Sequence, residues 1–445
     1  MRYLMKDPSM TTPTTIRPNI RSLIPFLVFL VFYLGLSIWS GDFYSIPMPT
    51  AFLVASAAAF LLNRKQSLAE KTDIFAKGMG EANIMLMCLI FILAGSFAAT
   101  AKAAGAVDAT VLICRHLIPD QLLVAGFFLI SCLISLAIGT SCGTIAAVMP
   151  IAAGLVQAMN LDICLMTGAV IGGAMFGDNM SMISDTTIAA TRTQGVAMRD
   201  KFIMNLKMVL PAAAITLVIY LFTGQNDAAL APASSITLRD FVATLPYLLI
   251  LAGAIAGLNV LLLLFVGTVL SIATGCLANE MTIFQMLTEG GKGIQSMSET
   301  LMVAILAGGL LHTIRHNGGI AYLMEKIERL INSERKCELG IMALVSCVNL
   351  FTANNTVAIV ISGPIAKDLS NKYGCDNRRV ASILDAASCA IQGLIPYGAQ
   401  LLIAVGILKN TGLATSALDL LGTLYYPILL GITLLISISL HRRKG

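Results

Sequence analysis

Residues 177–187 read Gly-Asp-Asn-Met-Ser-Met-Ile-Ser-Asp-Thr-Thr, and this polar stretch lies between two segments apolar enough to sit in a lipid bilayer. A charged side chain at the centre of a membrane costs at least about 2.5–3.5 kcal/mol, so an acidic residue at that depth indicates an ion or proton pathway by default. The stretch contains two carboxylates, Asp178 and Asp185, with hydroxyl and amide groups around them. Because all of these are oxygen ligands, they suit a small, hard cation better than organic chemistry.

The composition predicts a polytopic membrane protein. The chain has 445 residues, of which 57% are hydrophobic and 12% are charged, and its mean hydropathy is +0.84. Soluble domains carry about 25% charged residues. Apolar runs close to the roughly 20 residues that span a bilayer recur along the whole chain. We therefore predict an all-α fold of about 10–12 transmembrane segments in contact with the lipid bilayer.

The basic residues give the chain a predicted orientation. They cluster at both termini and beside several apolar runs, and three of these clusters contain Arg64, Lys201 and Lys372. Lys and Arg are enriched on the cytoplasmic side of membrane proteins, so we expect both termini and these three regions to face the cytoplasm. Topology then explains the formal charge of +5, which gives no reason to expect a nucleic-acid partner.

The sequence predicts no cofactor and no catalytic centre. Ten cysteines are scattered through apolar segments without a Cys-x-x-Cys pair, and free cysteine behaves as a small buried hydrophobe. We therefore expect neither a metal site nor a disulfide from them. The chain also lacks a Walker A loop, a metalloprotease helix motif and a nucleophile elbow, which argues against ATP-driven transport and against an enzyme.

The chain contains an internal repeat. The segment 93–105 is similar to 306–318 at a constant offset, and a basic residue falls at the same place in both. Further along, 139–144 corresponds to 353–358 with an offset that differs by only one residue. Each of these two later segments breaks an apolar run with small and polar residues and is soon followed by Pro-Ile-Ala. Repeats that are interrupted at matching places indicate the binding site of a secondary transporter.

The charge of two loops predicts that the repeats are inverted relative to each other. Residues 63–82 are basic, as expected of a cytoplasmic loop, whereas the equivalent stretch 277–298 carries two glutamates and one lysine. This assignment requires residues 241–276 to form two helices that meet near Gly257. The predicted divisions are a cytoplasmic tail (1–22), two leading transmembrane helices (23–80), a first repeat (81–224), connecting loops and helices (225–294), a second repeat (295–440) and a basic tail (441–445).

The polar breaks are the predicted binding elements. In lipid, a broken helix must line a protein-enclosed or water-filled cavity because its freed backbone groups need partners. Small residues also let membrane helices pack closely, and for isolated Ser and Thr residues elsewhere we favour that explanation. At the breaks we favour a binding role because the positions recur in both halves. The candidates there are Thr140, Ser141, Thr144, Asn354, Asn355 and Thr356.

Two motifs resemble those of the NhaC-type Na+/H+ antiporters. Residues 177–187 resemble the family signature Gly-Asp-(Lys or Asn)-x-Ser-x-x-Ser-Asp-Thr-Thr. Leu384-Asp385 and Leu394-Ile395-Pro396-Tyr397 resemble the family's acidic pair and its Leu-Ile-Pro-Trp segment. The resemblance covers most of the chain, from about residue 23 to 440. It implies a multi-pass transporter of the bacterial inner membrane that exchanges Na+ for protons, with relatives that move amino acids or small organic anions.

The chain departs from the family pattern at two places. Where many relatives have two adjacent acids, this chain has Leu384-Asp385, and Tyr397-Gly398 replaces the more usual Trp-Asn. Both departures lie where the resemblance implies that a substrate would be distinguished. Asp385 is a third candidate carboxylate. The alternative is that it forms a structural ion pair with Arg378 or Arg379, about two helical turns away.

The predicted mechanism is competition between two cations for one carboxylate. An aspartate in a partly desolvated cavity tends to hold a proton, whereas an adjacent Na+ favours its ionised form. If Asp178 or Asp185 binds Na+ only when deprotonated, and only the Na+-loaded or protonated forms change orientation, coupled exchange of Na+ and protons results. These two aspartates are the predicted Na+ ligands. Neutral oxygens are expected from Asn179, Ser181, Ser184, Thr186 and Thr187.

The sequence leaves other functions open. One is Na+- or H+-coupled transport of an amino acid or small organic anion, in which the acidic site serves only the coupling ion. Another is a membrane enzyme or channel, but the paired breaks favour alternating access over an open pore. A cavity beside Asp178 large enough for an organic molecule would separate exchange of ions from transport of such a solute. A homodimer is an option that the sequence does not decide.

Overall fold

The computed structural model describes residues 17–40, 47–63, 66–117, 119, 122–182, 184–224, 236–256, 258–278, 281–413 and 415–441. In these residues the chain is all-helical and contains no β-strand. The helices are α1 (Ile24–Ser40), α2 (Met48–Leu61), α3 (Leu68–Met79), α4 (Ala82–Ala103), α5 (Ala106–Leu117), α6 (Leu123–Ile138), α7 (Ser141–Met159), α8 (Ile163–Met180), α9 (Asp185–Gln194), α10 (Met198–Thr223), α11 (Leu238–Ile255), α12 (Val260–Ala278), α13 (Ile283–Ser296), α14 (Ser298–His316), α15 (Gly319–Glu328), α16 (Glu334–Thr352), α17 (Asn355–Tyr373), α18 (Asn377–Gln392), α19 (Ala399–Asn410) and α20 (Tyr425–Leu440).

The helices have the length and composition of membrane spans. Six helical segments of the described chain are long and apolar enough to cross a bilayer, and five shorter apolar helices accompany them. Large apolar side chains such as Leu133, Phe265 and Ile436 lie exposed on the outer surface. In a bilayer these side chains contact lipid, which is as apolar as they are. Several predicted features lie outside the described residues: Arg64, Lys65, Gly257, Glu280 and the basic tail 442–444.

The order of helices in the first half recurs in the second half. Helices α1 to α10 correspond one by one to α11 to α20. Matching helices also share local features. Both α3 and α13 begin with a capping box, formed by Ser67 with Glu70 and by Thr282 with Gln285. Both α7 and α17 contain an internal proline.

The two halves exchange packing partners. Helix α3 packs against α14, and its counterpart α13 packs against α4, the counterpart of α14. Glycines allow the close approach in both places, because a Cβ atom on Gly78 would lie 2.6 Å from the carbonyl oxygen of Gly308, and one on Gly95 would lie 2.5 Å from that of Gly293. A two-fold relation between the halves produces this kind of exchange. Whether that relation inverts one half relative to the membrane stays a prediction.

The structure corrects the assignment of two segments as loops. The charge pattern predicts loops at residues 63–82 and 277–298, whereas the structure contains α3 and α13 within these segments. Their charged residues lie on one side of helices whose other side is buried against the opposite half, at Phe75 and Gly78 in α3 and at Gly290 and Gly293 in α13. The acidic and basic character of the two segments therefore belongs to amphipathic helices.

Matching hydrogen bonds join the helix pairs that lead to the breaks. In the first half, the Ser135 hydroxyl of α6 donates to the carbonyl oxygen of Ala174 in α8 at 2.6 Å. In the second half, the Asn349 amide of α16 donates to the carbonyl oxygen of Ser388 in α18 at 2.7 Å. The donor pair and the acceptor pair have the same separation in sequence. These bonds align the two halves residue by residue and position the ends of α8 and α18.

Candidate functional site

Two of the helix breaks have the same backbone geometry. Helix α6 ends at Gly139 with φ 75°, and α7 begins two residues later. Helix α16 ends at Ala353 with φ 47°, and α17 begins two residues later. Both residues adopt the left-handed conformation, which costs a non-glycine residue about 1–2 kcal/mol. The breaks predicted from the repeat are therefore present, and the second one is held against local strain.

Two further breaks separate α8 from α9 and α18 from α19. The chain is extended at Ser181 and Ser184 between α8 and α9, and Ser184 is the N-cap of α9. In the second half, residues 393–398 connect α18 to α19, whose N-cap is Gly398. Side chains at three of the breaks and a backbone carbonyl at the fourth, that of Ala353, are connected through hydrogen bonds around one carboxylate.

That carboxylate is Asp178, in the last turn of α8, with 6% of its surface exposed. Its Oδ2 accepts hydrogen bonds from the Ser141 backbone N–H (3.1 Å) and the Ser141 hydroxyl (2.7 Å). Its Oδ1 accepts one from the Ser184 hydroxyl at 2.6 Å. The Ser184 and Thr186 hydroxyls lie 3.0 Å apart. The carboxylate and three hydroxyl oxygens therefore form one connected polar group.

Helix ends set the electrostatic environment of Asp178. Ser141 is the first residue of α7, so the carboxylate lies at the N-terminus of that helix, where the helix dipole and free N–H groups favour an anion. No Lys or Arg of the described residues forms an ion pair with Asp178. The site therefore solvates an ionised carboxylate by neutral donors and leaves its charge uncompensated.

Two glutamine side chains connect this group to the second half. The Gln400 amide donates to the Ser141 hydroxyl oxygen at 3.0 Å, and the Gln392 amide donates to Gln400 Oε1 at 2.9 Å. Gln392 Nε2 also donates to the carbonyl oxygen of Ala353 at 3.0 Å. Because Gln400 supplies the donor to Ser141, the Ser141 hydroxyl proton is directed to Asp178. The network thus runs from the break at Ala353 to the break beside Asp178.

Asp385 is completely buried and forms an ion pair with Lys201. Its Oδ2 also accepts a hydrogen bond from the Thr187 hydroxyl at 3.3 Å. Lys201 is 1% exposed and donates to the Thr187 hydroxyl oxygen and to the carbonyl oxygen of Asn179, each at 2.9 Å. This ion pair joins α10, α18, α9 and the end of α8.

The alternative partners expected for Asp385 are wrong. Arg379 pairs with Glu338 at 2.6 Å. Arg378 pairs with Asp376 at 2.9 Å and, by hydrogen bonding in the loop before α18, lowers the pKa of that carboxyl group. Helical spacing alone suggested these arginines, but the true partner is on another helix. Lys201, which the sequence analysis placed in a cytoplasmic cluster of bases, is buried beside the site.

Most of the other predicted residues bond to backbone near the breaks. Ser181 donates to a carbonyl of α6 at 2.9 Å, and Thr144 donates to the Thr140 carbonyl at 3.0 Å. Asn354 caps α17 by accepting from a backbone N–H at 2.9 Å. The side-chain oxygen of Asn179 accepts from the Asn205 amide at 2.6 Å. The partners of these hydrogen bonds lie in the breaks, in their flanking helices and in α10, so these side chains shape the breaks.

Three predicted residues lie apart from the Asp178 group. Asn355 Oδ1 accepts from the Thr356 backbone N–H at 3.2 Å, at the start of α17. Asp185 begins α9 with an exposed side chain, and the described residues give it no hydrogen bond or ion pair. In the first turn of a helix its charge is favoured by the dipole. The two predicted Na+ ligands, Asp178 and Asp185, therefore share no hydrogen-bond partner among the described residues.

Three residues around the site were missed by the sequence analysis, namely Lys201, Gln392 and Gln400. A signal existed for the glutamines, because Gln392 lies two residues before the Leu394-Ile395-Pro396-Tyr397 motif and Gln400 lies three residues after it. Lys201 had no such signal among several neighbouring bases.

Two cavities in the described structure lie away from Asp178. One, of about 540 Å³, is lined by apolar residues of α11 and α12. The other, of about 740 Å³, lies between the start of α1, the end of α2 and the end of α14. Neither is lined by a residue of the Asp178 group.

The chain is similar to known transporters over almost its whole length. The profile of the Na+/H+ antiporter family matches residues 13–225 and 230–441. The Na+/H+ antiporter NhaC of Bacillus subtilis is 27% identical over 388 residues, which cover 79% of this chain and 84% of that protein. The malate-2H+/Na+-lactate antiporter of the same species is 23% identical over 424 residues, which cover 87% of this chain and 89% of that protein.

A solved structure shows a distant likeness. The YdaH transporter of Alcanivorax borkumensis aligns with a TM-score of 0.41 and 13% identity, and the alignment covers 93% of this chain and 97% of that chain. At this level the likeness carries no argument about the site.

Proposed function

The chain belongs to the Na+/H+ antiporter family, and we propose that it exchanges Na+ for protons by letting both cations compete for the carboxylate of Asp178. It is a secondary transporter. Its relatives named above are antiporters and not enzymes.

The charge state of the buried acids carries this proposal. Three carboxylate residues of the described chain are buried, namely Asp178, Glu338 and Asp385. Glu338 is paired with Arg379, and Asp385 is paired with Lys201. Asp178 alone among them has no basic partner. A buried charge without a partner is strongly unfavourable, so Asp178 needs a cation that is supplied from outside the protein.

The contacts of Asp178 suit both cations. The carboxylate and the hydroxyl oxygens of Ser141, Ser184 and Thr186 supply the hard oxygen ligands that Na+ prefers. A proton neutralises the same carboxylate without other ligands. Because Na+ favours the ionised form and a proton removes it, occupancy by one cation excludes the other. We leave the exposed Asp185 out of this ligand set.

Coupling follows from the same electrostatics. With Na+ or a proton bound, the Asp178 group is neutral, and with neither it carries a buried negative charge. Moving that charge through the low-dielectric core of the protein costs more than moving a neutral group. The empty carrier therefore changes orientation slowly, and each Na+ that crosses in one direction is followed by a proton in the other.

Purified protein tests the proposal by calorimetry in buffers of different ionisation enthalpy. Na+ binding is expected to release protons, and the apparent Na+ affinity is expected to fall as the pH falls. Asp178→Asn is expected to remove both effects. Asp73→Asn, which alters an exposed ion pair with Lys77 on α3, is the matched control. Sodium binding without proton release in the wild-type protein would refute competition at one carboxylate.

A second candidate function is coupled transport of an organic anion. It is favoured by the similarity to a relative that is named for malate and lactate exchange. Proteoliposomes loaded with Na+ alone, and then with Na+ plus malate, lactate or an amino acid, distinguish the two functions. Proton flux driven by Na+ alone supports ion exchange, and flux that requires the organic solute supports the alternative.

The location in the cell is part of the proposal. We propose a bacterial inner-membrane protein, as its similarity to bacterial antiporters suggests, with both termini in the cytoplasm. Lys201 and Arg379 are buried, and the orientation rests on the exposed bases that cluster near them, such as Arg199 and Lys372.

A further inference from the structure

We propose that Lys201 and Asp385 remain a neutral pair throughout the transport cycle, so that the protein exchanges one Na+ for one proton without moving net charge. This inference rests on the function proposed above and adds its stoichiometry. It assigns Lys201 as a positioning residue of the transport site.

The buried charges of the described chain cancel except for one. The described chain buries five side chains of Asp, Glu, Lys and Arg: Asp178, Lys201, Glu338, Arg379 and Asp385. Two ion pairs account for four of them. One negative charge remains, and it is at Asp178. One Na+ or one proton is therefore enough to neutralise the buried interior.

The hydrogen bonds of Lys201 keep its ammonium group in place. An ammonium group has three N–H donors. Those of Lys201 reach Asp385, the Thr187 hydroxyl oxygen and the Asn179 carbonyl oxygen. Each donor thus has a buried acceptor. Loss of the lysine's proton, or its movement away, would leave Asp385 as an unpaired charge in the protein interior, which is strongly disfavoured.

Lys201 lies beside the end of the helix that carries Asp178. Asn179 directly follows Asp178, and its carbonyl lies at the C-terminal end of α8. A cation at this end of a helix is favoured by the helix dipole. Lys201 therefore fixes the end of the helix that carries Asp178, while Asn205 supports the same carbonyl with a bond of 2.9 Å. The pair holds the exchange site in place without supplying a ligand to it.

The exchange step then balances one for one. With Asp178 protonated, the site is neutral and the Lys201–Asp385 pair is neutral. When Na+ binds, the carboxyl proton leaves to the same aqueous side, and the site is neutral again. After reorientation, a proton enters as Na+ leaves. No net charge crosses the membrane in the full cycle.

The test is the reversal point of Na+-driven proton flux in proteoliposomes whose membrane potential is clamped with K+ and valinomycin. If each cycle moved one net charge, a potential of about 59 mV would shift the balancing Na+ gradient about tenfold. We expect no shift in the wild-type protein. A tenfold shift would overturn the proposal. Absence of any Na+-driven proton flux would instead overturn the function on which the proposal rests.

Substitutions separate positioning from a structural role. Lys201→Gln leaves Asp385 unpaired, so we expect an additional proton to be bound at low pH and a changed pH profile. Lys201→Gln with Asp385→Asn removes both charges, so we expect the pH profile and the insensitivity to potential to recover, while the apparent Na+ affinity stays lowered because the ammonium group that fixes the end of α8 is absent. The matched control removes the other buried pair, by Glu338→Gln with Arg379→Gln, and is expected to leave the stoichiometry at one to one.

One combination of results from these variants would contradict the proposal. If the wild-type reversal point depends on the potential and the double variant of Lys201 and Asp385 abolishes that dependence, the pair carries a second proton and the proposal is wrong. If a variant does not fold, the wild-type reversal point alone decides, because it measures the net charge moved per cycle directly.

Discussion

The two halves of the molecule end matching helices with different side chains. The last turn of α8 carries the carboxylate of Asp178, and the last residue of α18 is Gln392, which carries an amide. The separation of these two residues equals that of Ala174 and Ser388, which accept matching hydrogen bonds. An amide carries no charge and cannot exchange a proton for Na+. One framework therefore supplies a charged site in the first half and a neutral support in the second.

The residues around Asp178 supply hydroxyl groups to it, and their counterparts around Gln392 do not. Ser184 caps α9 and donates to Asp178, whereas the corresponding cap of α19 is Gly398, which has no side chain. Ser141 begins α7 and donates to Asp178, whereas Asn355 begins α17 and bonds to its own helix. The repeat therefore supplies the breaks, and a few side chains decide which break holds a cation.

The largest effect is expected from moving the charge between the halves. Asp178→Gln should abolish Na+-driven proton flux, because no titrating group remains at the site. Adding Gln392→Asp to that variant should not restore the flux, because the second position lacks the two serine hydroxyls. Proteoliposome flux with pH-sensitive dye measures both. A restored flux in the double variant would show that the two halves are interchangeable.

Removing the hydroxyls should have the next largest effect. Ser141→Ala and Ser184→Ala each remove a hydrogen bond to a charged group, worth about 1.5–3 kcal/mol. We therefore expect the apparent Na+ affinity to fall at least about tenfold for each. Asn355→Ala, the counterpart in the second half, should change it less. Equal losses at Ser141 and Asn355 would mean that both breaks bind the ion.

The backbone of the two breaks predicts a smaller effect, on stability. Gly139→Ala places a non-glycine residue at φ 75° and should lower the free energy of unfolding by about 1–2 kcal/mol. Ala353→Gly relieves the corresponding strain at φ 47° and should not lower it. Thermal unfolding of the detergent-solubilised protein measures the two changes. The comparison fails if Ala353→Gly is the more destabilising variant.

The single-cysteine variants that test the inversion should change transport least. Asn160 follows α7 and Lys372 lies at the end of α17, and both are exposed. If the halves are inverted, single cysteines at these two positions face opposite sides of the membrane. Each single cysteine is introduced into a cysteine-free variant of the protein, and intact cells are labelled with an impermeant maleimide. The label should modify position 160 and not position 372. Modification of both would exclude an inverted relation.

The sequence was informative where the chemistry is local. Acidic and hydroxyl residues in an apolar surrounding indicated Asp178 and the serines near it, because a charge in lipid needs a function. Matching interruptions of apolar runs indicated the breaks at Gly139 and Ala353. The Ser67 and Thr282 capping boxes were also readable, and they would have identified α3 and α13 as helices.

The all-helical membrane fold, the repeat and the break residues could be predicted from the amino-acid sequence, because they follow from hydrophobicity and from the polar groups that a bilayer does not solvate. Which buried charges are compensated depends on how the helices pack. Lys201 and Asp385 lie far apart in the chain and meet because α10 packs against α18. The same packing leaves Asp178 without a basic partner and Asp185 exposed. Pairing of buried charges depends on distances between helices, and sequence spacing within one helix does not contain them.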